Sequence, residues 1–240
     1  MLLAMLAAAT LGESSFPESL VDERRHRTIP IEIHLPENEA RCTSQQRCNV
    51  AFISSGYGVP HNKYQFIVRS LVQRGFMTVS IGHELEQDPD LSPVQPFYAT
   101  RAENWQRGAQ TLTFVRESLE PVFKSYDFEH LWLFGHSNGG DISAWYANAT
   151  PKYVAAIVTI DSRRVLLPRN KDIRVLSIRG SDFPADANVL YSDSERATYP
   201  VCVKQIPNAR HNDMSDYGPN WLTSTMSNAV SVFIENQSCK

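Results

Sequence analysis

Nothing in this chain is built to cradle a phosphate. No Gly-x-Gly-x-x-Gly and no Gly-Lys-Ser or Gly-Lys-Thr occurs, so no nucleotide cofactor is implied. Cys-x-x-Cys and His-x-x-x-His spacings are absent too, which leaves a structural zinc site little support; no metal and no organic cofactor is expected. Long apolar runs are missing. The one at the start, Met1 to Ala9, is far shorter than the roughly 20 residues a membrane span needs. Excess positive charge is also lacking: 23 basic against 26 acidic residues give a formal net charge of -3. Arg24-Arg25, Arg163-Arg164 and Arg169 are scattered in short groups, not gathered into the footprint nucleic acid requires. There is no internal repeat, low-complexity tract or linker, so a single domain over 16–240 is expected, and a monomer is assumed.

Cysteine is scarce, with four in 240 residues. Cys42 and Cys48 bracket the polar stretch Thr43 to Arg47, a spacing that suits a small disulfide-closed loop in an oxidising compartment, and Cys202 and Cys239 form a distant second pair. Free thiols stay open as an alternative. The apolar opening ends in Ala7-Ala8-Ala9 and lacks a positive n-region; residues 1–15 are read as the remnant of an atypical signal peptide, against a frayed N-terminal helix. The expected location is secreted or periplasmic.

What is present is an alternation of short apolar runs with longer amphipathic ones, the pattern of βα units around a mostly parallel sheet. Strands are expected at 29–35, near an edge because Pro30 cannot donate to a ladder, and at 50–54, 76–81, 131–134, 154–160, 173–178 and 202–206. Helices are expected at 63–74, closed by Gly75, at 105–123, at 141–147 and at 221–234. The segment 83–96 reads as a surface loop, with the acids of His83 to Asp88 on a solvated face.

Chemistry enters at Gly135-His136-Ser137-Asn138-Gly139-Gly140. The pentapeptide alone is weak, since average Gly and Ser usage yields it by chance in about one such chain in ten to fifteen. Its context is specific: an apolar run precedes it and a helical stretch follows. That is the setting of a nucleophile elbow, in which a serine hydroxyl projects from a tight strand-to-helix turn. A serine needs a base to take its proton and a third group to orient that base. After Ser137, Asp182 lies beyond a strand and His211 on a loop beyond the final strand, in the order Ser, Asp, His.

From about Ile29 onward the chain therefore resembles an α/β-hydrolase fold serine hydrolase, and is similar to small secreted bacterial esterase-like members of that superfamily. The likeness rests on Ser54-Ser55-Gly56-Tyr57-Gly58, the elbow, Arg179-Gly180-Ser181-Asp182 and Asn208-Ala209-Arg210-His211-Asn212-Asp213. The resemblance implies His211 as base, ahead of His26, His34, His61, His83, His130 and His136. It implies Asp182 as the orienting acid, with Asp186 and Asp161 as alternatives whose other role would be turn or helix capping. It also implies an oxyanion hole from the backbone N–H groups of Tyr57 and Asn138, a simple glycine turn being the alternative at Tyr57.

Tyr98, Trp105, Trp145 and Tyr146 are candidates for an acyl pocket or for core. The activity implied is cleavage of small carboxylic esters through an acyl-enzyme at an open site, because only about a dozen residues separate Asp161 from Ile173. A thioesterase, peptidase or amidase, or a non-catalytic binding protein on the same fold, are the other readings.

Overall fold

The computed structural model describes residues 16–236. The expected signal segment 1–15 and Cys239 lie outside the described residues. The strands are β1 (Ser19–Asp22), β2 (Arg27–His34), β3 (Cys48–Ser54), β4 (Met77–Ile81), β5 (Tyr126–His136), β6 (Val154–Ile160), β7 (Arg174–Arg179) and β8 (Val201–Gln205). The helices are α1 (Gln65–Val72), α2 (Phe97–Thr100), α3 (Ala102–Leu119), α4 (Asn138–Ala149), α5 (Asp193–Thr198) and α6 (Asn220–Asn236). The strands form one eight-stranded sheet in the order β1-β2-β4-β3-β5-β6-β7-β8. The first two pairings are antiparallel and all the others parallel.

Successive side chains of a strand face opposite sides, and here both sides are covered, so the central strands read as continuous apolar runs instead of alternating ones. Phe52, Leu133 and Ile157 pack beneath α3 and α4 with Trp105, Leu112, Val115 and Ile142. Their neighbours Ile53, Phe134 and Val158 pack on the other side with Ile67 and Leu71 of α1 and Leu222, Met226 and Val230 of α6. Gly75, at φ 84°, supplies the left-handed residue that lets the chain leave α1 and enter β4.

The strand at 29–35 lies near an edge, with only β1 outside it; Pro30 is tolerated because it faces Ser19 just beyond the last β2–β4 pair, Ile31 with Ile81. One expectation needs correction, and one element was not foreseen. The segment after β4 is not wholly a surface loop. His83 is buried, and Arg27 donates to Asp88 at 2.5 and 2.8 Å in a largely buried ion pair, so that acid is a structural anchor. Lastly, α5 was not anticipated; Ser192 and Glu195 cap each other's backbone N–H groups at its start. Cys42 and Cys48 are joined by a disulfide. Cys202 is buried in β8.

Candidate active site

The site lies at the C-terminal ends of the parallel strands. Ser137 leaves β5 at φ 51° and ψ -119°, a conformation that costs a non-glycine residue free energy and is held by its surroundings. The flanking glycines are required by contact. A Cβ on Gly135 would lie 2.3 Å from the Gly139 carbonyl oxygen, and one on Gly139 would lie 2.3 Å from that of Ser54. The elbow is thus wedged against the end of β3, and Ser137 stays part-exposed.

His211 arrives on the loop after β8. Its Nε2 is 2.9 Å from Ser137 Oγ and its Nδ1 is 2.6 Å from Asp161 Oδ2. A carboxylate can only accept, so Nδ1 carries the proton and Nε2 is left to accept from the serine hydroxyl. Asp161 is therefore the acid at the ring, and the expectation of Asp182 is corrected. The physical reason is strand register. His136 on β5 is paired with Ile160 on β6, so the next residues, Ser137 and Asp161, emerge side by side.

Asp182 lies three residues past the end of β7, where its two oxygens accept the His211 backbone N–H at 2.9 and 3.0 Å. It holds the histidine's main chain, not its ring. Asp186 is ion-paired to Arg164 at the surface and does not reach His211.

Asp161 is fully buried and also sits at positive φ, 51°. Burial alone would raise its pKa, but the His211 bond, the Arg179 guanidinium at 2.9 Å and the Gly180 N–H at 3.0 Å outweigh that and hold it below the ordinary value. Arg179 is itself fixed by the Ser162 carbonyl.

His136, read from sequence only as the variable residue of the elbow, is a buried connector. The Gly56 N–H donates to Tyr64 Oη at 3.0 Å, and Tyr64 Oη lies 2.8 Å from His136 Nδ1. His136 Nε2 lies 3.1 Å from the His211 carbonyl, which can only accept. Nε2 therefore donates, and Nδ1 accepts from the tyrosine. Burial, followed by the neighbouring His211, pushes the His136 pKa down to about 3, so the ring is neutral.

With the Gly56 amide committed to Tyr64, the Tyr57 amide is the remaining candidate donor of that turn. The turn abuts the elbow: a Cβ on Gly56 would lie 2.8 Å from His136 Nδ1. Asn138 opens α4, and its side chain is pinned on three sides. Its Oδ1 accepts from Trp105 Nε1 at 2.9 Å, and its Nδ2 donates to Glu84 at 2.9 Å and Asn104 at 2.8 Å.

Of the other histidines, His83 bonds Ser54 Oγ at 2.9 Å and His130 lies against Asp127; neither these nor His26, His34 and His61 bond Ser137. Trp105 and Tyr146 are core. Tyr98 and Trp145 flank Trp105 at 5.8–5.9 Å between ring centres and line an outer cleft with Val165, Leu166 and Leu167. Tyr64 and Asn104 were not singled out in advance; Arg179 enters only as the start of the Arg179 to Asp182 segment, and Glu84, expected on a solvated face, is instead part-buried against Asn138. Among the described residues no cluster of His, Cys, Asp and Glu could hold a metal ion, and no helix is long and apolar enough to cross a membrane.

A mostly parallel sheet of this order, with a serine at the β5–α4 elbow and a histidine after the last strand, is the α/β-hydrolase fold. Residues 92–203 match the alpha/beta hydrolase fold family model. The chain is similar in structure to Thermogutta terrifontis esterase 2, solved phosphoramylated by tabun, at 12% identity over 92% of this chain and 96% of that one, TM-score 0.66. Est1E from Butyrivibrio proteoclasticus is similar at 14% identity over 92% and 99%, TM-score 0.60. A fungal esterase from Rhizomucor miehei is similar at 15% identity over 91% and 82%, TM-score 0.59. No curated protein matches the chain by sequence.

Proposed function

We propose that the chain is a serine hydrolase that cleaves carboxylic esters by a ping-pong route through an acyl-enzyme on Ser137. The observation that carries the reading is the unbroken path from Ser137 Oγ to His211 Nε2 and from His211 Nδ1 to Asp161 Oδ2, at 2.9 and 2.6 Å. Ser137 attacks the ester carbonyl carbon while His211 Nε2 takes its proton. The tetrahedral oxyanion accepts from the Tyr57 and Asn138 amides. On collapse, the bond to the alcohol oxygen breaks and His211 returns the proton to that oxygen. Water then repeats the sequence on the acyl-enzyme and releases the acid.

Asp161 holds the ring and balances the imidazolium, and Arg179 keeps Asp161 ionised without contacting substrate. The esterases similar in structure favour an ester over an amide or thioester. The Cys42–Cys48 bridge supports a secreted or periplasmic location.

The test is labelling of the folded protein by a fluorophosphonate probe, with turnover of p-nitrophenyl esters measured beside peptide and thioester substrates. Labelling and ester turnover are expected, both lost in Ser137→Ala. An unlabelled folded protein would overturn the enzyme reading, and a preference for peptides would overturn the ester assignment.

A further inference from the structure

We propose that this site takes esters carrying a negatively charged group, carboxylate or phosphate, and that Arg163, flanked by Arg101 and Arg164, receives that group. The proposal rests on the serine-hydrolase reading and adds a substrate class to it. Arg163 follows Asp161 by two residues, and its backbone is anchored by its N–H to Asp141 at 3.2 Å. Its guanidinium lies over the Phe183 ring, 4.6 Å from the centroid. That same ring stands edge-on to the His211 imidazole at 6.0 Å and 85°. The cation is therefore placed one aromatic ring away from the base. Beside it, Arg101 and Arg164 both lie over Phe97, at 4.3 and 4.4 Å.

The acids near Arg163 have other work. Asp161 serves His211, Arg179 and Gly180. Asp141 accepts three backbone N–H groups, and Asp182 accepts that of His211. Arg164 is paired with Asp186. Among the described residues, no carboxylate comes within ion-pair distance of Arg163 or Arg101, and the Arg163 side chain donates no hydrogen bond. Both guanidiniums are part-buried; burial, then the adjacent guanidinium, lowers the pKa of each.

A part-buried cation beside like charges and without an ion-pair partner gains from an incoming anion. A guanidinium over a ring keeps its N–H fork available to carboxylate or phosphate. Glu84, the acid bonded to Asn138, opposes this weakly: burial raises its pKa, and the Asn138 amide occupies one of its oxygens.

The experiment compares three esters on the purified full chain: neutral p-nitrophenyl butyrate, mono-p-nitrophenyl glutarate with the anion on the acyl side, and 4-carboxyphenyl butyrate with the anion on the alcohol side. Wild type is expected to favour one anionic ester in kcat/KM. That ratio should fall about tenfold or more in Arg163→Gln, recover in part in Arg163→Lys, and shrink at high ionic strength in the wild type. The salt series needs no variant, so it decides even if Arg163→Gln fails to fold.

A neutral preference, or a ratio indifferent to both salt and Arg163→Gln, overturns the proposal. A protein that is labelled at Ser137 but cleaves none of the three overturns the substrate class alone. One that is neither labelled nor active overturns the hydrolase reading with it.

Discussion

Asp161 is tied to the histidine ring, to a buried guanidinium and to a backbone amide, whereas Asp182 touches only the histidine's main chain. Asp161→Asn should therefore cost about 10³- to 10⁴-fold in kcat, because an amide no longer fixes the Nδ1–H tautomer. Asp182→Asn keeps an acceptor for the His211 N–H and should cost far less. Steady-state kinetics of the two variants check the assignment, and the reverse ranking would sink it. This choice was not legible in the chain, where both acids follow apolar runs; only the register that sets Ser137 beside Asp161 distinguishes them. His136 poses a similar problem, since its partners lie 72 and 75 residues away. Tyr64→Phe removes the acceptor of the Gly56 amide and the donor to His136, loosening the turn that offers the Tyr57 amide. The expectation is a fall in kcat of about tenfold with KM within about twofold. A change confined to KM would show that this connector does not serve the reacting centre.

Among the elements, β6 was legible to the residue because a covered parallel strand is a short continuous run of apolar and β-branched residues, and α1 because Gly75 marks its end. The four-residue β1 has too few residues to show a period, and α5 has a capping box but no apolar face. The helix after the elbow carries a device that no pattern reveals. Asp141 on α4 accepts the N–H groups of Arg163, Arg164 and Val165 at 2.9 to 3.2 Å, fastening the chain after β6 to α4. Burial raises its pKa from 3.8 to about 6 despite those bonds. A group whose folded pKa is raised stabilises the fold fully below its unfolded pKa, and that contribution is lost as pH rises through about 6. Asp141→Asn keeps the acceptor oxygen and never ionises. Its melting temperature relative to wild type should thus climb between pH 5 and pH 8, by about 3 to 5 °C, since about one unit of the shift falls in that interval. Asp141→Ala, with no acceptor, should melt below wild type at both. Thermal denaturation at the two pH values decides, and a pH-independent Asn difference would mean the carboxyl is ionised throughout.

At the scale of the whole molecule, the arrangement of loops at the strand ends decides what can approach Ser137. The connection from β6 to β7 contains no helix, and the one from β7 to β8 only the six residues of α5. The arch from β4 to α3 is tied to the Gly56–Tyr57 turn through Tyr57 Oη, which donates to Asp90 at 3.1 Å and accepts from Leu91 N at 3.2 Å. It is braced from below by the Arg27–Asp88 pair. A loop anchored at both levels is a wall and not a lid, and the connection after β6, fastened to Asp141, has no spare length to swing. On the proposed function, the protein should thus act on dissolved short-chain esters without needing an interface to open it. Rates on p-nitrophenyl butyrate are expected to rise smoothly with concentration, with no jump where a longer, micelle-forming ester crosses its critical concentration. Activity should fall steeply from four-carbon toward sixteen-carbon acyl chains. A sharp gain at the micellar transition would show instead that one of these loops moves.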